Sequence, residues 1–215
     1  MKILLIGASG MVGSRVAAEA LSRGHEVVGV TRGGRADDLP SHPRLTLAAA
    51  DAGDAKALAG LAAGADAVVA ALPPARDGSP ATGPYLAVAG SIIDGTRQAE
   101  VKRLIWVGGA GSLEVGGGKR LFETEGFPEA YKAEALAQGE VLDVFRELTD
   151  LGWTYVSPAA EIAPGERTGE FRVGGDALLS DAEGRSRVSA EDFAVALVDT
   201  LEKGDHVRER ITVAY

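Results

Sequence analysis

Leu4-Leu5-Ile6-Gly7-Ala8-Ser9-Gly10-Met11-Val12-Gly13 is the stretch that decides how this chain folds. An apolar run, three glycines spaced three apart and the start of an amphipathic segment predict a buried strand, a tight turn and a helix. The first turn of such a helix carries unpaired N–H groups and a partial positive charge. Because Gly7 and Gly10 lack a Cβ, an anion can approach the backbone, and Gly13 permits close helix–strand packing. The pattern indicates a dinucleotide pyrophosphate site, with a chance glycine turn as the alternative.

The bulk properties describe an ordinary globular chain of 215 residues, 46% apolar and 25% charged, with no cysteine and a formal net charge of −9. This length suits one α/β domain over residues 1–215. The acidic balance argues against nucleic-acid binding, no apolar run has membrane-span length, and three scattered histidines offer no metal site. Gly7 interrupts the first apolar run too early for a signal peptide. We expect a cytoplasmic monomer or small homo-oligomer that binds a small-molecule substrate.

The end of the second predicted strand indicates which cofactor is bound. A helix runs from the glycine turn to Gly24, and the strand at 26–30 ends in Thr31 and Arg32, with Arg35 nearby. An NAD site usually has Asp or Glu there to hold the ribose 2′-OH. Since a guanidinium pairs well with a phosphate, the sequence favours NADP, with NADPH preferred over NADH. A solvated loop arginine is the alternative.

The rest of the chain alternates strands with helices, which predicts a doubly wound, mostly parallel sheet flanked by helices, that is, a single-domain Rossmann fold. Further strands are expected at 45–47, 65–72, 103–107, 152–156 and 210–213. The strand at 152–156 is expected to break at Ser157-Pro158. Helices are expected at 55–61 after an Asp54 cap, at 85–99, at 129–148 and after a Ser189 cap with Asp192 completing an approximate capping box.

Three loops at predicted strand ends carry candidate residues. Asp51 follows the third strand and is either an acceptor for the adenine amino group or a turn residue. Pro73-Pro74 closes the fourth strand, before a Gly- and Pro-rich connector at 75–84 that we expect to be mobile. The segment 108–118 has six glycines in eleven residues, which indicates backbone that bends freely or approaches a ligand, or else a disordered loop.

Four segments, Gly7–Gly13, Trp106–Ser112, Ser157–Ala160 and Val188–Ala194, resemble atypical short-chain dehydrogenases/reductases. More narrowly, they are similar to the small NmrA-like and "putative NADH-flavin reductase" proteins, relatives of biliverdin reductase B. The resemblance implies an NAD(P)-binding Rossmann oxidoreductase, in which G-x-x-G-x-x-G is the usual glycine spacing. With the strand ends, it gives these candidate cofactor-binding residues: Gly7, Ser9, Gly10, Met11, Val12, Thr31, Arg32, Asp51, Ala71, Leu72, Pro73, Gly108, Gly109, Lys132 and Pro158.

The chain departs from this superfamily in its catalytic residues. The resemblance implies Tyr-x-x-x-Lys on the helix after the fifth strand, but Pro128 stands four residues before Lys132, and Tyr131 is adjacent to it. Adjacent helical residues point about 100° apart, so the two do not share a face. Ser112 is the nearest hydroxyl to the strand-five position where Ser or Thr is often found.

Three functions remain open from the sequence. The first is an NAD(P)H-dependent reductase that transfers hydride to a flavin or similar planar acceptor, with Lys132 on the nicotinamide ribose, Ser112 orienting substrate and Tyr131 lining the pocket. The structural alternatives are that Lys132 is an exposed helix lysine, Ser112 a loop hydroxyl and Tyr131 a packed aromatic. The second is a non-catalytic NADP-binding sensor or regulator of NmrA type, which the missing dyad favours. The third is a protein like NAD(P)-dependent epimerases and dehydratases.

Overall fold

A computed structural model describes residues 1–36, 39, 41–76 and 81–215. Its main sheet has eight strands in the order β3-β2-β1-β4-β5-β6-β10-β8, and all pairs are parallel except β10–β8. The chain starts in the centre at β1, moves outward to β3 and returns to β4 on the other side of β1. This is the Rossmann strand order, so the predicted fold class is confirmed.

The elements of the sheet and its helices have the following bounds. The strands are β1 (Lys2–Ile6), β2 (Glu26–Thr31), β3 (Leu45–Ala49), β4 (Ala67–Ala70), β5 (Arg103–Val107), β6 (Gly152–Pro158), β7 (Glu161–Ala163), β8 (Arg172–Gly174), β9 (Arg187–Ser189) and β10 (Glu209–Ala214). The helices are α1 (Met11–Ser22), α2 (Ala55–Ala62), α3 (Thr82–Gln98), α4 (Glu129–Arg146) and α5 (Ala190–Lys203), with a short 3₁₀ helix at Leu121–Glu123.

Two apolar cores cover the two faces of the sheet. On one face α1 packs beside α5, and on the other α2, α3 and α4 pack in a row. The central strands are buried on both faces, which is why they read as continuous apolar runs such as Ile3-Leu4-Leu5-Ile6. Trp106, Phe145 and Tyr155 fill the second core at ring distances of 5.4 to 6.0 Å. This packing fixes the carboxyl ends of the strands, where the candidate residues lie.

The structure differs from the predicted elements in several places. β6 does not break at Ser157-Pro158 but continues through both, because β10 lies beside it and pairs with Pro158 through Val213. β7 and β9 form a separate parallel pair that the sequence did not suggest. In the connector after β4, residues 77–80 lie outside the described part, and α3 begins at Thr82, three residues earlier than predicted.

The predicted capping box at α5 is only half formed. The Ser189 hydroxyl accepts from the Asp192 N–H at 2.9 Å, as a cap should. The Asp192 carboxylate does not return to the Ser189 N–H. It instead accepts from the Thr168 hydroxyl (2.5 Å), the Gly169 N–H (2.7 Å) and the Tyr215 hydroxyl (2.9 Å). Asp192 therefore ties the segment before β8 and the C-terminal residue to the start of α5.

We expect Asp192→Asn to lower the free energy of unfolding by about 2 kcal/mol at pH 7, since bonds to a charged group contribute roughly 1.5–3 kcal/mol. Burial alone would raise the pKa of this carboxyl, but the three hydrogen bonds outweigh it and lower the pKa. This stability is present above the unfolded-state pKa, about 3.9, and is lost as pH falls through the lower folded-state pKa. Urea unfolding across pH tests this. Equal stability of variant and wild type at pH 7 would refute it, and exposed Asp94→Asn is the control.

Among the described residues, no helix is both long enough and apolar enough to cross a bilayer.

Candidate functional site

The turn between β1 and α1 is built around glycines that no other residue can replace without a clash. Gly7 has φ +86°, and an added Cβ would lie 2.4 Å from the Ala71 carbonyl oxygen. A Cβ on Gly13 would lie 2.0 Å from the Gly7 carbonyl oxygen. The turn is closed by a bond from the Gly10 N–H to the same Gly7 oxygen at 3.0 Å. Contacts between backbone segments therefore require glycine at positions 7 and 13, whereas a Cβ at Gly10 would meet nothing closer than 3.4 Å.

The N-terminus of α1 presents free donors at this turn. Its cap residue is Gly10, which offers no side chain, and no acidic residue lies in the first turn. In the part of the chain that the structure describes, the N–H groups of Met11, Val12 and Gly13 donate to no acceptor. Ser9, Gly10 and Met11 are exposed. Free amides at the positive end of a helix form an anion site.

Two cations follow β2, the strand whose end lies against this turn. Both Gly7 and Ala8 donate their N–H to the Val30 carbonyl, at 3.0 and 3.3 Å, so the last residues of β2 lie against the turn. The buried Thr31 hydroxyl bonds the Arg35 backbone and shapes the loop. Arg32 and Arg35 are exposed, and within the described residues neither guanidinium forms an ion pair. The structure thus leaves both guanidinium groups exposed after the end of β2.

The ends of β3, β4 and β6 complete the carboxyl edge of the sheet. Asp51 is exposed and accepts from the Gly53 N–H at 2.9 Å, which is the turn-forming contact considered as its alternative. Ala71 contacts Gly7, and the Leu72 carbonyl accepts from the Tyr85 hydroxyl at 2.9 Å, which holds the chain ahead of Pro73. Burial raises the pKa of the Tyr85 phenol. At the end of β6, Pro158 follows Ser157, whose buried hydroxyl has no partner among the described residues.

The glycine-rich segment after β5 is predicted to be backbone that bends freely or approaches a ligand, and the structure corrects the prediction of free bending for its first half. Added Cβ atoms would lie 1.9 Å from the ring of Tyr155 at Gly108, 2.1 Å from Gln138 Oε1 at Gly109 and 2.4 Å from the Ala135 Cβ at Gly111. These positions must be glycine because side chains of β6 and α4 occupy the space where a Cβ would lie. In the second half, Gly116, Gly117 and Gly118 have positive φ and no close neighbours, so they form an exposed turn.

The structure does not gather the three candidate catalytic residues. The Ser112 hydroxyl accepts from Arg210 Nη1 at 3.0 Å on the α4 face of the sheet. Lys132 pairs with Glu129 at 2.6 Å, and Tyr131 is 54% exposed. No hydrogen bond or ion pair joins any two of Ser112, Tyr131 and Lys132 in the described residues. Their catalytic roles stay predictions.

A polar cluster on α4 was missed from the sequence. Glu134 makes two bonds to the Arg76 guanidinium, at 2.7 and 2.8 Å, and accepts from Gln138 Nε2 at 3.3 Å. These bonds, ahead of desolvation, raise the pKa of Arg76. Gln138 Oε1 is buried against Gly109 without a partner among the described residues. Tyr131, Glu134 and Gln138 recur at i, i+3 and i+7, so helical spacing could have indicated one shared face.

Solved structures similar to this chain cover its whole length. A Burkholderia pseudomallei "Putative exported protein" is 46% identical over all of both chains, with a TM-score of 0.88. A "putative epimerase" from Bacteroides thetaiotaomicron is 39% identical over 100% of this chain and 96% of its own, with a TM-score of 0.90. A "putative NADH-flavin reductase" from Streptococcus pneumoniae is 33% identical over 100% and 99%, with a TM-score of 0.82.

The printed names of these three proteins describe different activities and locations, whereas their TM-scores show that they share the fold of this chain. A family model described as NAD(P)H-binding matches residues 7–204, which begin at the first glycine of the turn and include six of the eight strands of the main sheet. The free amides of α1, the glycine contacts and the strand order agree with that match. The chain belongs to the NAD(P)H-binding family and has a Rossmann fold, which agrees with the resemblance to atypical short-chain dehydrogenases/reductases.

Proposed function

We propose that this protein is an NADPH-dependent reductase that transfers hydride to a flavin or a similar planar acceptor. The observation that carries the proposal is the set of free N–H groups at the start of α1, next to the exposed Arg32 at the end of β2. The first feature suits a pyrophosphate and the second a 2′-phosphate.

The cofactor fits the residues of the carboxyl edge. The N–H groups of Met11, Val12 and Gly13 would bind the pyrophosphate, and Arg32, with Arg35 close in sequence, the 2′-phosphate. Leu72, Pro73 and Pro158, at the ends of β4 and β6, would border the ribose and nicotinamide. When bound, the dihydronicotinamide supplies the hydride. The protein's contribution is to hold the two reacting rings in contact and exclude water between them.

The assigned roles of the catalytic candidates follow from their positions along the chain. Lys132 would exchange its partner Glu129 for the nicotinamide ribose, Tyr131 would present its exposed ring to the acceptor, and Ser112 would orient the substrate from the loop after β5. The Arg76–Glu134 pair would support the pocket side formed by α4, because it links the segment after β4 to this helix.

A planar acceptor is favoured by the missing Tyr-x-x-x-Lys dyad. Carbonyl reduction requires a positioned acid to protonate the forming alkoxide. A flavin accepts hydride into a conjugated ring and takes its proton from water, so positioning alone suffices. The name of the 33% identical Streptococcus pneumoniae protein points to the same acceptor class.

A non-catalytic NADP-binding sensor is the second candidate, and the same missing dyad favours it. Such a protein would keep the whole cofactor edge and need none of the roles assigned to Ser112, Tyr131 and Lys132. The epimerase class is supported by the name of the 39% identical relative.

An acceptor panel distinguishes these functions. Protein, NADPH and one acceptor at a time (FMN, FAD, a quinone) are mixed, and absorbance at the nicotinamide band is followed. We expect protein-dependent NADPH oxidation with at least one flavin. Tight NADPH binding without oxidation by any acceptor would support the sensor and overturn the reductase. Gly13→Ala, which alters the cofactor turn, serves as the inactive control.

A further inference from the structure

A cavity of about 210 Å³ lies on the α4 face of the sheet, where the loop after β5 covers the gap between α4 and β10. Residues of α4 at i, i+3, i+4 and i+7 form one wall, starting at Gly139 and ending at Arg146. Ser112, Arg120 and Arg210 form the opposite side. The loop is fixed there, because Glu114 pairs with both Arg120 and Ala177 through the backbone. None of these residues belongs to the proposed NADPH site, and only Ser112 has a role in the proposed reaction, that of orienting the substrate.

One end of the cavity brings two guanidinium groups to a hydroxyl. The Arg210 side chain is 3% exposed, and its Nη1 donates to Ser112 Oγ at 3.0 Å and to the Ser112 carbonyl at 3.1 Å. Its Nε is buried and has no partner in the described part of the chain. Burial lowers the pKa of Arg210, and the Asp176 carboxylate opposes this shift.

Arg120 adds a second cation at this end. Its Nη1 lies 3.8 Å from the position that a Cβ on Gly139 would take, and the Ser112 Cβ lies 3.6 Å from the same position. Among the described residues the Arg120 guanidinium forms no ion pair. Arg146, farther along α4, pairs with Asp143 and with Asp176. Asp176 also bonds Arg210 at 2.6 Å. Glu114 is exposed at the rim.

Gly139 leaves this space open without any packing reason to be glycine. It lies within α4, where glycine destabilises a helix relative to alanine. Contacts of 3.6 and 3.8 Å are ordinary van der Waals distances, so an alanine would fit. This contrasts with Gly109 and Gly111, which neighbouring side chains require to be small. Gly139 therefore places no side chain on this wall of the cavity, although Gly90 of α3 is likewise a helical glycine that packing does not require.

From these contacts we infer a second binding site, for a phosphate-sized oxyanion, at the Gly139 end of the cavity between Ser112, Arg120 and Arg210. The oxyanion accepts from the Arg120 guanidinium and from the Ser112 hydroxyl, and the buried Arg210, bonded to Ser112, adds positive charge behind them. It is either free phosphate or the end group of a small phosphate monoester, since the cavity is several times the roughly 30 Å³ of a water molecule. Paired guanidinium donors are the usual protein groups for this chemistry.

Calorimetric titration with inorganic phosphate at constant ionic strength tests the site, in protein saturated with NADP⁺ so that the α1 turn is occupied. We expect saturable one-to-one binding, and the same with methyl phosphate if the group can be esterified. Arg120→Gln should weaken it about tenfold or more, which corresponds to the loss of a charged hydrogen bond. Gly139→Leu should abolish binding by filling the space.

Matched controls distinguish the cavity from general effects. Arg185→Gln removes a surface guanidinium, and Gly90→Leu places the same side chain at a glycine of α3 with nothing within 4 Å. Both should bind phosphate as the wild type does. The site is refuted if phosphate does not saturate, if NADP⁺ abolishes its binding, if succinate binds and phosphate does not, or if Arg120→Gln, the substitution that leaves packing intact, binds with wild-type affinity.

Discussion

Replacing Gly13 by alanine is expected to abolish NADPH binding and to lower the free energy of unfolding by about 3 kcal/mol, the upper part of the range for overpacked sites. The added Cβ would lie 2.0 Å from the Gly7 carbonyl oxygen and 2.9 Å from its carbon. Both neighbours are backbone atoms, so no side chain can rotate away. α1 must shift from β1, which moves the free N–H groups that we assign to the pyrophosphate.

The measurements are urea unfolding and fluorescence titration with NADPH. Gly90→Ala is the matched control, since it also places a methyl group at a helical glycine but meets nothing within 4 Å. It should be neutral or more stable by up to about 1 kcal/mol. Gly10→Ala, with its nearest neighbour at 3.4 Å and φ −77°, should fold normally. Wild-type NADPH affinity in Gly13→Ala would show that the cofactor does not use this turn.

The second large effect is expected at Arg32. Replacing it by alanine should weaken NADPH binding about 10- to 100-fold, because a charge-assisted hydrogen bond contributes roughly 1.5–3 kcal/mol. NADH lacks the 2′-phosphate, so its affinity should change little. Arg32 is exposed and forms no ion pair with the described residues, so the fold should be unaffected.

Dissociation constants for NADPH and NADH, measured in parallel at fixed salt, test the assignment. Arg35→Ala shows whether the second arginine shares the phosphate, in which case the double variant loses more than either single one. Equal changes for both cofactors would mean that Arg32 acts through something other than the 2′-phosphate. No change for either would leave it a solvated loop residue.

The sheet was predictable because its strands carry their own signal. β1 and β4 are apolar runs, and β5 has the bounds predicted from the sequence. β6 was ended too early because Ser157-Pro158 looks like a strand terminus. Its pairing with Val213 depends on β10, more than fifty residues later in the chain, and sequence patterns carry no information about that contact.

The site was predictable only where local chemistry determines it. The glycine turn depends on contacts within a few residues of itself and on β4, so its spacing was informative. The segment 108–118 shows the opposite case, because six glycines say nothing about whether Tyr155 and Gln138 fill the space beside them. Likewise, Asp192 has a cap's spacing from Ser189, but its carboxylate is used by Thr168 and Tyr215. Long-range partners decided both.

The most direct test of the proposed reductase is single-turnover oxidation of NADPH deuterated at C4, in either of its two configurations, with the protein and FMN in the absence of oxygen. A bound nicotinamide presents one face to the acceptor, so we predict protein-dependent flavin reduction that one deuterated epimer slows by a primary isotope effect and the other does not. NADPH that binds but is not oxidised, or oxidation at a rate that the protein does not change, would contradict hydride transfer at this site.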